Sequence, residues 1–167
     1  SKYEFYGVLP DQTGNVGQFT MGNEPSMHIP YLYNYAGEPW RTQRRVRQLI
    51  RQWFRPDVMG MPGDEDGGGL SSFVVFSMMG FYPVTPGSGV YTVGTPFFTK
   101  VKLRMENGKE LVIEAPGSSD DCKYISAATI DGRELSEPWF SHDEIRNGAK
   151  IKLKMTGRHT DWGCGKD

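Results

Sequence analysis

The chain has 167 residues, a formal net charge of -1 and a mean hydropathy of -0.53. This length is enough for one domain with a buried core, and the near-neutral charge argues against a general binder of nucleic acid or anionic membranes. No apolar run reaches the roughly 20 residues of a membrane-spanning helix, and an aromatic content of 13% is typical of proteins that stack rings on sugars.

The first part of the chain predicts an irregular entry followed by a short helix. Residues 1–22 are rich in Gly, Asn, Gln and Thr and show little periodicity. Asn23 or Glu24 is a suitable helix cap, and Pro25 fits the first turn, where its missing N–H costs nothing. Pro30 falls inside the predicted helix, which we therefore expect to be kinked or limited to its first turns.

The clearest helix is predicted over residues 38–55. Its apolar face is formed by residues at helical spacing, namely Val46, Leu49, Ile50, Trp53 and Phe54. The other positions include six arginines: Arg41, Arg44, Arg45, Arg47, Arg51 and Arg55. A basic helix can bind nucleic acid, but a solvated outer face is the commoner arrangement and is our prediction here.

An acidic stretch precedes a second helix of different character. Asp64, Glu65 and Asp66 are followed by three glycines and then by residues 70–79, whose polar positions are all serines. This composition predicts a helix buried nearly all round, with Gly80 as its C-cap. Free N–H groups at the helix start would keep the acids ionised. Two interpretations stay open: an acidic turn that caps the helix, or carboxylates that act as a general base or bind a cation.

Strands are predicted after residue 100, beyond a loop expected over residues 87–96. Apolar residues there alternate with charged ones, and Asn107-Gly108 and Asp131-Gly132 are typical of tight hairpin turns. Residues 141–144 have the form of a capping box, and residues 151–155 predict a last strand. The fold class predicted is therefore α+β, helical to about residue 80 and rich in β-hairpins after residue 100.

Candidate chemical groups lie at the two predicted helix starts. If neighbouring helices alternate in direction, both starts lie at the same rim, and Glu24 and Asp64 are expected to share it. Asp64 and Asp66 are too close in sequence to be the opposed acid and base of an inverting glycosidase, which lie roughly 6.5–9.5 Å apart. They could instead polarise one water together. Asn23, Glu24 and the acids supply oxygens of the kind calcium prefers, and His28 alone is more typical of a structural histidine.

Four stretches of the chain, taken together, resemble glycoside hydrolase family 92. They are Gly17-Gln18-Phe19-Thr20-Met21-Gly22-Asn23-Glu24-Pro25, His28-Ile29-Pro30-Tyr31-Leu32-Tyr33-Asn34-Tyr35, Pro62-Gly63-Asp64-Glu65-Asp66 and Phe81-Tyr82-Pro83-Val84. This family consists of calcium-dependent exo-α-mannosidases that invert the anomeric centre. The resemblance implies that residues 1–99 are the C-terminal segment of an (α/α)6 catalytic barrel. Residues 100–167 would be a β-rich tail that packs on the barrel.

The resemblance also implies roles for particular residues. Asp64 and Asp66 would be catalytic and would activate the attacking water. Asn23 and Glu24 would be ligands of a calcium ion, and Glu24 and His28 would bind the mannoside. The general acid of the family lies well upstream of the Asn-Glu-Pro motif, which places it outside this chain. The expected partners are mannose-containing glycans and the N-terminal remainder of the same enzyme, which contains a β-sandwich and the rest of the barrel.

The resemblance implies a secreted, periplasmic or cell-surface enzyme, of bacterial type, that binds no nucleic acid and has no membrane span. Many relatives have histidines where this sequence has Met21 and Met27, a difference that bears on the mannosidic linkage preferred. The alternative function is a non-catalytic carbohydrate-binding or assembly module built on the same elements. Cys122 and Cys164 match no metal-ligand spacing, so they are predicted to pair, to stay free or to be incidental.

Overall fold

The computed structural model describes residues 19–58 and 60–165, so most of the predicted irregular entry lies outside the described residues. Two short 3-10 turns, Glu24–Ser26 and Ile29–Tyr31, lead into helix α1 (Leu32–Tyr35). Two longer helices follow, α2 (Pro39–Trp53) and α3 (Gly69–Met79). The predicted second and third helices are therefore confirmed to within two residues at each end.

Within the described residues, eight strands come after these helices, and a further short helix, α4 (His142–Ile145), lies between the last two strands. The strands are β1 (Phe81–Tyr82), β2 (Val90–Val93), β3 (Lys100–Arg104), β4 (Glu110–Glu114), β5 (Tyr124–Ile130), β6 (Arg133–Glu134), β7 (Trp139–Ser141) and β8 (Ala149–Thr156). Three of them form an antiparallel sheet in the order β1-β2-β7. The other five form a sheet in the order β3-β4-β8-β5-β6, in which β8 runs parallel to β4 and antiparallel to β5. The α+β fold class is confirmed.

The predicted helix from Asn23 onwards is broken into separate turns. Pro25 and Pro30 each lie in the first positions of a 3-10 turn, where a missing N–H is tolerated, but neither can donate the bond that a continuous helix needs. Asn23 is the N-cap residue of the first turn, as predicted, but its side chain makes no capping hydrogen bond. The Ser26 N–H instead donates to the backbone oxygen of Asn23 over 2.9 Å.

The hairpin turns follow the local sequence. Gly108, Asp131 and Gly132 have φ angles of +76°, +49° and +82°, the left-handed region that Gly and Asp tolerate best. The hairpins β3–β4 and β5–β6 therefore form where they were predicted. The capping box is also confirmed, since the Ser141 hydroxyl accepts from the Glu144 N–H and the Glu144 carboxylate accepts from the Ser141 N–H.

The loop prediction over residues 87–96 is wrong, because Val90–Val93 forms strand β2. Its pairing partners are Phe81–Tyr82 and Trp139–Ser141, and the second of these is distant in sequence. The strands before residue 100 thus share a sheet with one after it. The division of the chain into domains at residues 99 and 100 stays a prediction.

Two buried apolar clusters lie side by side. The helical cluster contains Met21, Met27, Tyr31, Val46, Leu49, Ile50, Leu70 and Phe73. The β cluster is built on Phe81, Val93, Leu111, Ile113, Ile125, Ile130, Phe140, Ile151 and Leu153, with further buried alanines and aliphatic residues. Both cysteines are free thiols. Among the described residues, none of the helices combines the length and the apolar character needed to cross a bilayer.

One of the five arginines within α2 is not on a solvated face. Arg47 is 3% exposed, and its guanidinium donates to the Pro96 carbonyl over 2.7 Å and to the Asp120 carboxylate over 3.1 Å. It also donates to the Ser118 hydroxyl and lies 4.4 Å from the ring centre of Phe97. The prediction of a wholly solvated basic face is wrong at this position, because loops of the β region pack over it.

Helix α3 is not buried all round by the described part of the chain. Leu70, Phe73 and Ser77 are buried, but Val75 on the opposite side is 55% exposed. An apolar groove of about 600 Å³ runs along this side, lined in part by Ile50, Phe54, Val74, Val75, Met78 and Phe97. We call this surface the α3 groove. The sequence alone predicted burial nearly all round, because it shows the apolar character of the helix but not which of its neighbours are present.

Candidate functional site

Two of the predicted site segments lie against each other through glycines. A Cβ added to Gly22 would lie 2.7 Å from the carbonyl oxygen of Pro62, and one added to Gly63 would overlap the carbonyl of Gly22. Any larger residue at either position would push the two backbones apart. The segment that precedes Asn23 therefore packs directly on the segment that leads to Asp64. The glycine contacts therefore place the Asn-Glu-Pro and Gly-Asp-Glu-Asp motifs next to each other.

The side chain of Glu24 reaches the start of α3. A Cβ built on Gly69 would overlap the Glu24 carboxylate oxygen Oε1 and would lie 3.1 Å from its Cδ. Glu24 itself is solvent-exposed, so its carboxylate lies at the surface beside the first turn of α3. The partial positive charge at that helix start favours a carboxylate in this position. The arrangement brings Glu24 to the helix that follows the acidic stretch.

The acidic stretch forms a defined turn held by its middle residue. The Glu65 carboxylate accepts from the Ser71 N–H over 3.0 Å, and the Glu65 carbonyl accepts from the N–H groups of Gly68 and Leu70 over 3.2 and 3.4 Å. The predicted acidic cap of α3 is confirmed, and Glu65 provides it. Satisfying these N–H groups anchors the turn to the helix.

The other two acids of the turn, Asp64 and Asp66, are not the residues that cap the helix. Asp64 and Asp66 are both solvent-exposed, while Glu65 is half-buried. Asp66 has a φ angle of +49°, and the next two residues, Gly67 and Gly68, have φ angles of +66° and +97°. Three successive left-handed residues reverse the chain within a very short distance, which Gly and Asp tolerate better than other residues. The geometry leaves both outer carboxylates available to solvent or to a ligand.

Asn23 and His28 are the residues that directly precede the two short 3-10 turns. Asn23 is half-buried at the start of the first turn, and His28 is exposed at the start of the second, where its carbonyl accepts from the Tyr31 N–H over 2.9 Å. Among residues 19–58 and 60–165, no three His, Cys, Asp or Glu side chains are grouped to hold a metal ion. The amide and carboxylate oxygens of Asn23 and Glu24 fit the ligand preference of calcium, but calcium takes six to eight oxygens. These two residues therefore fit one part of a calcium site.

Sequence reasoning passed over two residues at this site. Gly69 makes room for the Glu24 carboxylate, as described above. Tyr82, in the first strand after α3, places its hydroxyl 3.8 Å from the Sδ of Met27 and close enough to Glu24 to be influenced by that charge. The available signals were the third glycine of the acidic stretch and the aromatic residue before Pro83. Neither signal by itself points to Glu24.

Comparison with known proteins agrees with the resemblance to glycoside hydrolase family 92. The family model "Glycosyl hydrolase family 92 catalytic domain" matches residues 2–157. A family GH92 α-mannosidase from Bacteroides thetaiotaomicron, solved in complex with mannoimidazole, is 32% identical with a TM-score of 0.84, and the match covers 89% of this chain and 20% of that chain. A family GH92 inverting mannosidase from the same organism is 39% identical with a TM-score of 0.83, over 89% of this chain and 20% of that chain.

A curated relative from the fungus Arthroderma benhamiae, described as an uncharacterized secreted glycosidase, is 35% identical over 150 residues. The match covers 88% of this chain and 19% of that protein. The chain thus spans about a fifth of the length of these relatives.

Proposed function

We propose, because the chain belongs to glycosyl hydrolase family 92, that the protein containing it hydrolyses terminal α-mannosides of glycans by an inverting, calcium-dependent mechanism. The observation that carries this proposal is the junction of the two motifs. Glycine contacts bring Asn23 and Glu24 to the anchored turn that presents Asp64 and Asp66. An α-mannosidase and an inverting mannosidase of the same family share this part of the fold with TM-scores of 0.84 and 0.83.

Asp64 and Asp66 are assigned the base side of the reaction. Both carboxylates are exposed on a turn whose backbone is fixed, so they can hold a water and accept its proton as the water attacks the anomeric carbon. The general acid has to protonate the leaving oxygen from the opposite side, roughly 6.5–9.5 Å away. We assign that group to the N-terminal remainder of the enzyme, because two acids on one short turn cannot lie on both sides of a sugar.

Asn23 and Glu24 are assigned to the calcium and sugar side of the site, and His28 to the sugar. A bound calcium ion would supply charge that attracts sugar hydroxyls and favours distortion of the ring. The Asn23 amide and the Glu24 carboxylate would hold that ion together with oxygens from elsewhere in the polypeptide. The Glu24 carboxylate can lie at the start of α3 because Gly69 has no side chain there.

We also assign the α3 groove as a surface that the N-terminal remainder of the enzyme covers. This groove exposes apolar side chains along a helix whose composition is that of a buried one. The relatives matched by the chain are more than four times its length, which leaves ample polypeptide to cover the groove. The curated fungal relative is described as a secreted glycosidase, which supports a secreted, periplasmic or cell-surface location for this protein.

The test of this function uses the complete polypeptide and small aryl α-mannosides. We expect hydrolysis with inversion at the anomeric carbon, loss of turnover on treatment with a chelator, and recovery on adding calcium. Direct titration with calcium should show weaker binding for Glu24→Gln, because one carboxylate ligand is replaced by a neutral amide. Absence of α-mannoside hydrolysis would overturn the proposed activity, and full turnover in the chelator would overturn the calcium assignment alone.

Replacing Gly69 with Ala should separate binding from stability. Alanine favours the helix by up to about 1 kcal/mol, so the unfolding temperature should not fall. The added Cβ would displace the flexible end of Glu24, and we expect about a tenfold loss of mannoside affinity, as for one weakened hydrogen bond to a charged group. Binding would be measured by calorimetry.

Ser72→Ala is the matched control, because Ser72 is exposed on the first turns of the same helix. It makes a comparable gain in helix preference without approaching Glu24. If Gly69→Ala binds as well as the control, Glu24 does not contact the ligand.

A further inference from the structure

The ring of Tyr82 is fixed by its neighbours. It stacks on the ring of Tyr31 with a centroid distance of 5.1 Å and an interplanar angle of 17°, and it meets Phe73 edge-on at 5.4 Å. Tyr31 is fully buried and itself held by a 2.8 Å hydrogen bond to the Ser77 hydroxyl. Tyr82 lies directly after α3, in β1. The position of its hydroxyl is therefore set by the helical core.

The hydroxyl of Tyr82 has a weak partner in the structure. It donates to the thioether sulfur of Met27 over 3.8 Å, and a thioether is a poor hydrogen-bond acceptor. A ligand hydroxyl would be a better partner for the same donor. Tyr82 is partly exposed, so a ligand at the surface can reach the residue.

The charge near this hydroxyl is that of Glu24. Burial raises the pKa of the Tyr82 phenol, and the neighbouring Glu24 carboxylate raises it further. The phenol therefore stays protonated over the neutral pH range and acts as a donor next to an acceptor. Met27, whose sulfur the phenol contacts, also donates its N–H to the Glu24 carbonyl over 3.0 Å, which places Tyr82 and Glu24 in the same region of the surface. Sugar hydroxyls both donate and accept, so a phenol and a carboxylate in one region are suited to binding a diol.

We infer that Tyr82 is a substrate-binding residue whose hydroxyl donates to a mannose hydroxyl beside Glu24. This inference rests on the proposed function, since it places the sugar at Glu24. It adds a third segment, residues 81–82, to the site formed by the Asn-Glu-Pro motif and the acidic turn.

The experiment compares Tyr82→Phe with wild type in the complete polypeptide. Calorimetry with methyl α-mannoside, and with analogues that each lack one hydroxyl, measures affinity; both proteins carry Asp64→Asn in this measurement so that turnover does not interfere. Aryl mannosides measure KM and kcat separately in the proteins without Asp64→Asn. We expect Tyr82→Phe to bind methyl α-mannoside between about threefold and tenfold more weakly, as for one neutral hydrogen bond. For the single analogue that lacks the contacted hydroxyl, the two proteins should bind equally, because the interaction is absent from both.

Two control variants distinguish this contact from a structural effect. Tyr35→Phe removes an exposed phenol that bonds to the Thr92 hydroxyl over 3.1 Å, and it should leave affinity unchanged. Met27→Leu removes the thioether acceptor and keeps a similar apolar volume. It should leave the affinity for methyl α-mannoside unchanged, because this ligand has no second sugar and so does not depend on linkage preference. If Met27→Leu weakens binding as much as Tyr82→Phe, the hydroxyl acts through Met27 and the inference is wrong.

The outcomes also separate this inference from the proposed function. A wild type that binds mannosides without hydrolysing them overturns the activity, while the affinities of Tyr82→Phe still decide the inference. Equal affinity of wild type and Tyr82→Phe, or a deficit that no deoxy analogue abolishes, overturns the inference and leaves the activity intact. Absence of any mannoside binding by wild type overturns both.

Discussion

Replacing Asp64 with Asn in the complete polypeptide is expected to lower kcat on α-mannosides about 10²–10⁴-fold, the range that a general base contributes. The amide keeps the size of the side chain but cannot accept a proton from water. Because Asp64 is exposed and the adjacent Glu65 anchors the turn, the fold should not change. Mannoside affinity measured by calorimetry should stay close to that of wild type.

At Asp66, the residue that replaces aspartate must accept a positive φ angle. Asp66 has a φ angle of +49°, and asparagine adopts this conformation as readily as aspartate does. Asp66→Asn therefore tests the charge without straining the turn, and we expect it too to lower kcat. Asp66→Gly removes the side chain while keeping the backbone preference, so equal losses in both variants would assign the effect to the carboxylate.

Asp121→Asn is the matched control for these two variants, because Asp121 is an exposed acid in the loop between β4 and β5. Surface substitutions of this kind change the free energy of unfolding by about 0.5 kcal/mol or less. Since Asp121 also lies in a different loop from the acidic turn, we expect kcat to stay within about a factor of two of wild type. Unchanged kcat in Asp64→Asn and Asp66→Asn, with sugar binding retained, would favour the alternative of a non-catalytic carbohydrate-binding or assembly module.

Replacing Arg47 with Met should destabilise the contact between α2 and the β region by about 2–3 kcal/mol, as for the loss of hydrogen bonds to a charged group. The side chain is 3% exposed and donates to Pro96 and Asp120. The expected cost is below the roughly 3–5 kcal/mol of breaking a fully buried ion pair, because the carboxylate left behind is 55% exposed and can be hydrated. Partial desolvation raises the pKa of Asp120, but the bonds and charges of Arg47 and Arg51 hold that pKa below its usual value.

Hydrogen exchange of backbone amides in the complete polypeptide would measure this effect locally. The Ile125 amide is a suitable probe, because it is buried and donates to the Gln43 side chain of α2 over 3.0 Å. Its protection should fall in Arg47→Met. Arg45→Met is the control, since Arg45 is exposed and bonds to Gln48 on its own helix, and it should stay within about 0.5 kcal/mol of wild type. Equal protection in both variants would show that Arg47 does not hold the two regions together.

Local features of the sequence determined the parts of the fold that depend on neighbouring residues. The apolar spacing of Val46, Leu49 and Ile50 located α2 and its buried face. Asn107-Gly108 and Asp131-Gly132 located both hairpins, because residues that accept positive φ angles are needed at those turns. The acidic stretch and its motifs also identified the family and the candidate site, since the residue types and their order are themselves the signal.

The tertiary structure decided the features that depend on distant residues. Strand β2 consists of residues that favour strands, but the glycines and prolines on both sides of it are typical of a loop. Pairing with β1 and with the distant β7 decides in favour of the strand. Arg47 was assigned to a solvated face because helical spacing does not show which loops cover a helix. The contact between Glu24 and Gly69 has the same origin. The sequence predicted that Glu24 and Asp64 share one rim, but the glycine contacts that join their two segments depend on how the whole helical core packs, and only the folded chain shows them.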